Sequence, residues 1–292
     1  MKISYYPGCT LKSNAKNFEE STFCSLKKLG VEVEELPRWN CCGTVFSLAT
    51  DDLIHHVAPI RNLLRVKESH SGRVMTLCAM CYNTLKRANQ RVISDPESLE
   101  KINKFMYREN LEYHGDVKIF HLLELLRDEI TFDIISKKIV KPLTDLRIAN
   151  YYGCLLVRPK EVGLDDVENP TVLEDLTAAI GGNPVDFPFK TECCGAYQTV
   201  DKPDIVADRA YHILTSAQNQ GAEVISVSCP LCAFNLDHRQ KITAQKYPEF
   251  KSLPVLYFSQ LMAVALGCSE DDLRFDLHYI DPKPILEGKG LI

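Results

Sequence analysis

The sequence predicts an α/β fold of two homologous halves, each a mostly parallel sheet flanked by helices, related by pseudo-two-fold symmetry. Three observations carry this. A pattern of cysteines occurs twice, strand-like and helix-like stretches alternate within each occurrence, and the cysteines fall after strands, where ligands gather in such sheets.

The repeat is written in the cysteines. Cys9 is followed after 31 residues by Cys41-Cys42 and after 35 more by Cys78-x-x-Cys81. Cys154 is followed after 38 residues by Cys193-Cys194 and after 34 more by Cys229-x-x-Cys232. The flanks agree: "YYPGCTLK" with "YYGCLLVR", "CCGTVF" with "CCGAYQ", and "VMTLCAMCYNTLKRANQ" with "VISVSCPLCAFNLDHRQ". The offset is 145 at the first cysteine and 151–152 at the others, which places an insertion between the first two landmarks of the second half. A junction near residues 137–148 divides the chain into domains 1–145 and 146–292.

In order, "KISYYPG" reads as a strand ending at Cys9. Ala15, Phe18, Thr22, Leu26 and Leu29 stand at helical spacing, with Gly30 as the stop. "VEVEEL" alternates as a strand up to the first CCG. A helix over residues 51–67 precedes the strand "RVMTL", which delivers CxxC, and "YNTLKRANQRVI" continues as helix. "DVKIF" followed by "HLLELLRDE" closes the half. In the second half, Pro170 suits the first turn of a helix running to Ile180, stopped by Gly181-Gly182. "EVISVS" leads to Cys229, and "SLPVLYF" followed by "SQLMAVALG" matches the end of the first half.

The net charge of −5 gives no reason to expect nucleic acid. The amino terminus turns polar after a few residues, and the longest apolar run, "QLMAVALGC", is too short for a bilayer. A cytoplasmic protein without a membrane segment is therefore expected. Its 12 cysteines, in a chain of 292 residues without an export signal, read as reduced metal ligands before disulfides.

A CxxC pair with two further cysteines can close a tetrahedral zinc site. Each half, however, offers five thiols, one more than zinc uses. Adjacent residues of an extended chain also point in opposite directions, so Cys41 and Cys42 need a turn, which Gly43 supplies, to grip one ion. An iron–sulfur cluster accepts neighbouring thiolates on different irons. Spacing alone leaves cluster, zinc and disulfides open.

The doubled pattern Cys–x₃₁₋₃₈–Cys-Cys-Gly–x₃₃₋₃₄–Cys-x-x-Cys resembles the CCG domain, and two copies in a chain of this size resemble the heterodisulfide reductase B-subunit family. The resemblance implies two noncubane [4Fe-4S] clusters. Cys9, Cys41, Cys42, Cys78 and Cys81 would hold one. Cys154, Cys193, Cys194, Cys229 and Cys232 would hold the other. It further implies reduction of the coenzyme M–coenzyme B heterodisulfide to its two thiols, one sulfur captured at each cluster, with catalysis resting on the clusters themselves. Lys12, Arg38, Arg158, Lys190 and Arg239 are then candidates for the substrate's sulfonate and phosphate, with surface solvation as the alternative for each. Related CCG chains imply a 2-hydroxyacid (lactate or glycolate) oxidation complex or a thiol-dependent fumarate reductase as the alternative role, and a zinc-bearing docking module is a third.

The chain shows no ferredoxin C-x₂-C-x₂-C run, GxGxxG or flavin signature, so neither flavin nor nicotinamide is expected in it. The resemblance implies a C subunit with cubane clusters, a flavin-containing A subunit, and a hydrogenase or formate dehydrogenase as electron source. Cys24 and Cys268 have no counterparts in the opposite half and are expected to be spare thiols. His55 and His56 are candidates to donate protons but are expected to pack or lie at the surface. Trp39, two residues before Cys41, is a candidate to shield the cluster from water, with core packing the equal alternative for it and for Phe189.

Overall fold

The computed structural model describes residues 1–44 and 53–292. Strands β1 (Lys2–Tyr5), β2 (Glu32–Glu35), β3 (Arg73–Thr76) and β4 (Lys118–His121) form one sheet in the order β2-β1-β3-β4. Strands β5 (Arg147–Tyr151), β6 (Asn183–Val185), β7 (Val224–Val227) and β8 (Val255–Tyr257) form a second in the equivalent order β6-β5-β7-β8. Every pairing is parallel, with Ile3 opposite Val33, Met75 opposite Phe120, Ile148 opposite Val224 and Ser226 opposite Leu256. Parallel strands need crossovers and bury both faces, and β7, "VISV", is buried at all four positions.

The crossovers are helices α1 (Lys16–Lys28), α2 (Val57–Glu68) and α3 (Ala79–Ser94) in the first half, and α4 (Val172–Ala179), α5 (Pro203–Asn219) and α6 (Pro230–Asp237) in the second. Helix α7 (Phe258–Ala265) follows β8. The helix expected over residues 51–67 begins among positions 51–52, outside the described residues; a 3₁₀ turn over Leu53–His56 leads into α2. That turn carries His55 and His56, and His56 is buried. Helix α4 starts at Val172, two residues beyond Pro170, because Asp165 Oδ2 accepts the amides of Thr171 and Val172 and so fixes where the helix begins. Among the described residues no helix is long and apolar enough to cross a membrane.

The halves join through α1 and α7. Phe18 stacks on Tyr257 at 4.2 Å and meets Phe258 edge-on, while Ser21 Oγ and Ser259 Oγ lie 2.7 Å apart. Phe18, Ser21 and Ser259 are fully buried, so this seam is core, not a docking rim. Cys24 of α1 and Cys268 just beyond α7 are joined by a disulfide, which corrects the expectation of two spare thiols. The bond spans the seam between the halves, so neither cysteine has an equivalent within the other half.

Candidate metal centre

Each half places its cysteines at the carboxyl ends of its strands. Cys9 follows β1, the Cys41-Cys42 pair follows β2, and Cys78 follows β3 at the start of α3. Cys154, the Cys193-Cys194 pair and Cys229 repeat this after β5, β6 and β7. Cys42 and Cys81 bring their sulfurs to 3.6 Å, and Cys194 and Cys232 to 3.4 Å. Cys42, Cys78, Cys81, Cys194, Cys229 and Cys232 are buried, whereas Cys9 and Cys41 are exposed, and Cys154 and Cys193 partly so.

The glycine of each CCG now has a physical role. Gly43 and Gly195 adopt φ of 75° and 84°, in the left-handed region that glycine enters without strain. This turns their amides back to donate to Cys41 Sγ at 3.5 Å and Cys193 Sγ at 3.3 Å. The second sulfur of each pair is thereby free to turn inward. Ahead of the first cysteine, a Cβ on Gly8 would lie 2.9 Å from Cys81 Sγ, and one on Gly153 would lie 3.2 Å from Cys232 Sγ. Both sites are thus cradles that an ordinary side chain would fill.

Equivalent tyrosines anchor the loops. Tyr6 Oη donates to Asn40 O at 2.8 Å and Tyr151 Oη to Glu192 O at 2.6 Å, each gripping the carbonyl just before the cysteine pair. Asn62 of α2 pairs with the Asn40 backbone, and Arg209 of α5 donates to Cys193 O at 3.0 Å. His121 donates from Nε2 to Leu77 O at 2.8 Å and accepts the Leu123 amide on Nδ1, so it is the neutral tautomer. Burial lowers its pKa to about 4. It therefore holds the backbone leading to Cys78 at neutral pH.

The sulfurs lie close enough to share protons. A hydrogen bond from Cys154, reinforced by the Gly195 amide, lowers Cys193 to about 5, while Cys193 in turn pushes Cys154 up. Across the halves, Cys229 pushes Cys78 up, while Cys232 first and Cys78 next hold Cys229 down. Clustered thiols retain some protons because adjacent thiolates repel, and a bound cation displaces them. Ten sulfurs in two groups of five, in cradles emptied by glycine, fit a soft metal group. Among the described residues, no three His, Cys, Asp or Glu are gathered as a single-ion site.

A cavity of about 750 Å³ opens beside the first set, bordered by all five of its cysteines and by α6 of the second half through Leu231, Ala233 and Phe234. Asp237, His238, Tyr257 and His278 also line it. His278 comes from the carboxy-terminal segment, and Gln260 settles its tautomer. The Gln260 side chain accepts the Tyr257 amide and donates to Leu273 O, so its nitrogen must also donate to His278 Nε2, at 2.9 Å. Asn17 approaches the same atom at 3.2 Å. His278 therefore carries its proton on Nδ1, and burial lowers its pKa to about 4.

None of the five basic residues expected at the substrate lines this cavity. Lys12 is paired with Glu19 and Glu35, Arg38 with Glu68, and Arg158 with Glu168 and Thr191 O. Lys190 is buried against Glu174, Asp186 and Pro170 O. Arg239 donates to Thr199 O and lies over the Phe234 ring, behind the cavity wall. Trp39 packs edge-on to Tyr6 and donates to Glu35, and Phe189 stacks on His212. Sequence reasoning missed Tyr6, Tyr151 and His278. The tyrosines carried a signal, standing three residues before Cys9 and Cys154; His278 carried none, since its partners come from α1 and α7.

Comparison with known proteins agrees with this geometry. The CCG cysteine-rich domain matches residues 3–86 and again 148–237. The chain is 31% identical over 282 residues to the 8-methylmenaquinol:fumarate reductase membrane anchor subunit of Wolinella succinogenes, covering 96% of this chain and 97% of that one. It is also 31% identical over 282 residues to the B subunit of the ferredoxin/F(420)H(2)-dependent CoB-CoM heterodisulfide reductase of Methanosarcina acetivorans, covering 96% and 94%. A crystal structure of a hypothetical protein from Helicobacter pylori shares the fold, with a TM-score of 0.77 over 95% of this chain at 14% identity; this chain spans 51% of its length. With two matches to the domain and relatives of this identity along nearly its whole length, the chain belongs to the CCG cysteine-rich domain family, alongside the heterodisulfide reductase B subunits.

Proposed function

We propose that the chain is the redox-active iron–sulfur subunit of a multisubunit oxidoreductase of heterodisulfide reductase type. In this reading Cys9, Cys41, Cys42, Cys78 and Cys81 hold one noncubane [4Fe-4S] cluster and Cys154, Cys193, Cys194, Cys229 and Cys232 the other, within domains 1–145 and 146–292. The observation that carries it is a five-thiol set bordering a cavity of about 750 Å³ whose opposite wall comes from α6 of the second half. Bound clusters supply single electrons and a Lewis-acidic iron that takes sulfur. The reaction is cleavage of the S–S bond of the coenzyme M–coenzyme B disulfide by two electrons and two protons, giving two thiols. A cubane-cluster C subunit and a flavin-containing A subunit, fed by a hydrogenase or formate dehydrogenase, are the proposed electron source.

The chain's own residues prepare the site. Gly43 and Gly195 aim the cysteine pairs, Tyr6 and Tyr151 hold their loops, and Leu231, Ala233 and Phe234 of α6 give the cavity an apolar wall.

Metal analysis of the anaerobically purified protein tests the reading: about eight irons with acid-labile sulfide are expected. Two zincs without iron overturn it. One observation favours a second reading. Among the described residues lining the cavity there is no Lys or Arg to receive a sulfonate or phosphate, and an apolar wall suits a quinol, the electron donor named for the Wolinella relative. Reduction of the heterodisulfide by a reduced viologen dye supports the first reading. Cluster reduction by a menaquinol analogue, without disulfide reductase activity, supports the second.

A further inference from the structure

Cleaving a disulfide to two thiols consumes protons as well as electrons, so the cavity needs a group that gains and gives them. Besides the five cysteines, the described residues lining it include four titratable groups: Asp237, His238, Tyr257 and His278. Two of these keep one protonation state at neutral pH. Burial pushes the Tyr257 phenol well above its usual value. His278 is neutral, with Nε2 already an acceptor and its pKa lowered to about 4. Asp237 is committed as an acceptor: its side chain is 5% exposed, and it takes the amides of Tyr279 at 2.7 Å and Ile280 at 3.0 Å.

His238 differs in having a solvent face. Its side chain is 46% exposed, so it borders the cavity and bulk water at once. It caps the carboxyl end of α6, where its amide donates to Phe234 O at 3.0 Å and fixes its backbone. Its ring stacks on Phe234, itself a lining residue, at 5.1 Å and 20°, and meets Tyr279 at 6.1 Å. Stacking covers the face of an imidazole and leaves its nitrogens, which lie on the edge, uncovered. Asp237 Oδ2 stands 3.9 Å from His238 Nε2, a carboxylate placed to steady the ring when it carries charge. The other charged and titratable groups around it are Arg239, over the same Phe234 ring, and His278, Tyr279 and, beyond His278, Asp281 from the carboxy-terminal segment.

We propose that His238 is the proton donor of the cavity, taking protons from solvent and passing them to sulfur released there. This rests on the disulfide-reductase reading above and deepens it. Two electrons, taken up singly, break the S–S bond and leave two thiolates. The imidazolium gives its N–H proton to a thiolate sulfur, becomes neutral imidazole, and recovers a proton from water before the next transfer. Imidazole suits this task because its ordinary charge change falls between pH 5 and 8.

The test uses the anaerobic, iron-loaded protein, a reduced viologen dye and the coenzyme M–coenzyme B disulfide. His238→Gln removes the exchangeable proton and keeps a polar side chain of similar reach. Expressed per bound iron, its kcat is expected to fall at least about tenfold. The kcat of the unsubstituted protein, but not that of the variant, is expected to decline as pH rises and the acid is lost. A second readout needs no turnover. Without an electron donor, carbethoxylation by diethylpyrocarbonate, mapped by mass spectrometry, is expected at His238 and is suppressed when the disulfide fills the cavity. A smaller fall in kcat, the same alkaline decline in both proteins, or equal modification of His238 with and without the disulfide overturns the proposal. An iron-loaded protein that the dye reduces but that cleaves no disulfide overturns the underlying reading instead.

Discussion

His278 should make this protein sensitive to acid in a way a single substitution removes. Its side chain is 4% exposed, and Nε2 already accepts from Gln260, so an added proton would meet amide donors in a buried site. The charged groups facing it are Asp237, His238, Asp276 and Asp281. The folded state therefore refuses, down to about pH 4, a proton that the unfolded chain takes up near pH 6.5. Stability from this histidine is fully present above the unfolded value and is lost as pH falls. The whole interval is worth about 3 kcal/mol, of which about 2 kcal/mol is lost between pH 8 and pH 5. His278→Leu leaves the Gln260 and Asn17 amides without an acceptor, costing about 1–3 kcal/mol at pH 8, but it removes the titration. Denaturant unfolding of both proteins at pH 8, 7, 6 and 5 should show their difference shrinking by about 2 kcal/mol. A difference that stays constant across that range would refute the argument.

Three further outcomes follow from the geometry. Cys24→Ser should lower stability by about 2–4 kcal/mol under non-reducing conditions and abolish the effect of added dithiothreitol on the melting temperature; equal sensitivity of wild type and variant to the reductant would contradict the disulfide. Gly8→Ala and Gly153→Ala place a Cβ against Cys81 and Cys232 at φ of 70° and 65°, so each should cost roughly half the bound iron, measured by colorimetric analysis, through loss of one site of two. Phe18→Ala opens the stacked seam with Tyr257 and should destabilise the protein by about 3–5 kcal/mol in denaturant titrations, with the two halves no longer unfolding as one unit.

Much of the architecture was legible because its signals are local. Strand–helix alternation, the glycine stops and the position of each cysteine at a strand end depend on short stretches of chain, and both sheets formed in the expected parallel manner. The repeat also made the second CCG readable from the first. The basic residues were a different matter. Lys12, Arg38, Arg158 and Lys190 lie near cysteines in sequence, yet carboxylates brought in from elsewhere in their halves bind them away from the cavity. Sequence proximity says nothing about which partner a long flexible cation meets first.

The sequence by itself determined the duplication, the five-thiol sets and the sheet type, since each follows from residue type and spacing. Only the tertiary structure decided how the halves differ. Cys24 and Cys268 are 244 residues apart and meet because α1 packs on α7. The cavity borders all five cysteines of the first set and none of the second, and its opposite wall is α6 of the second half. These are contacts between distant segments, set by which surfaces bury each other, and no local pattern encodes that choice.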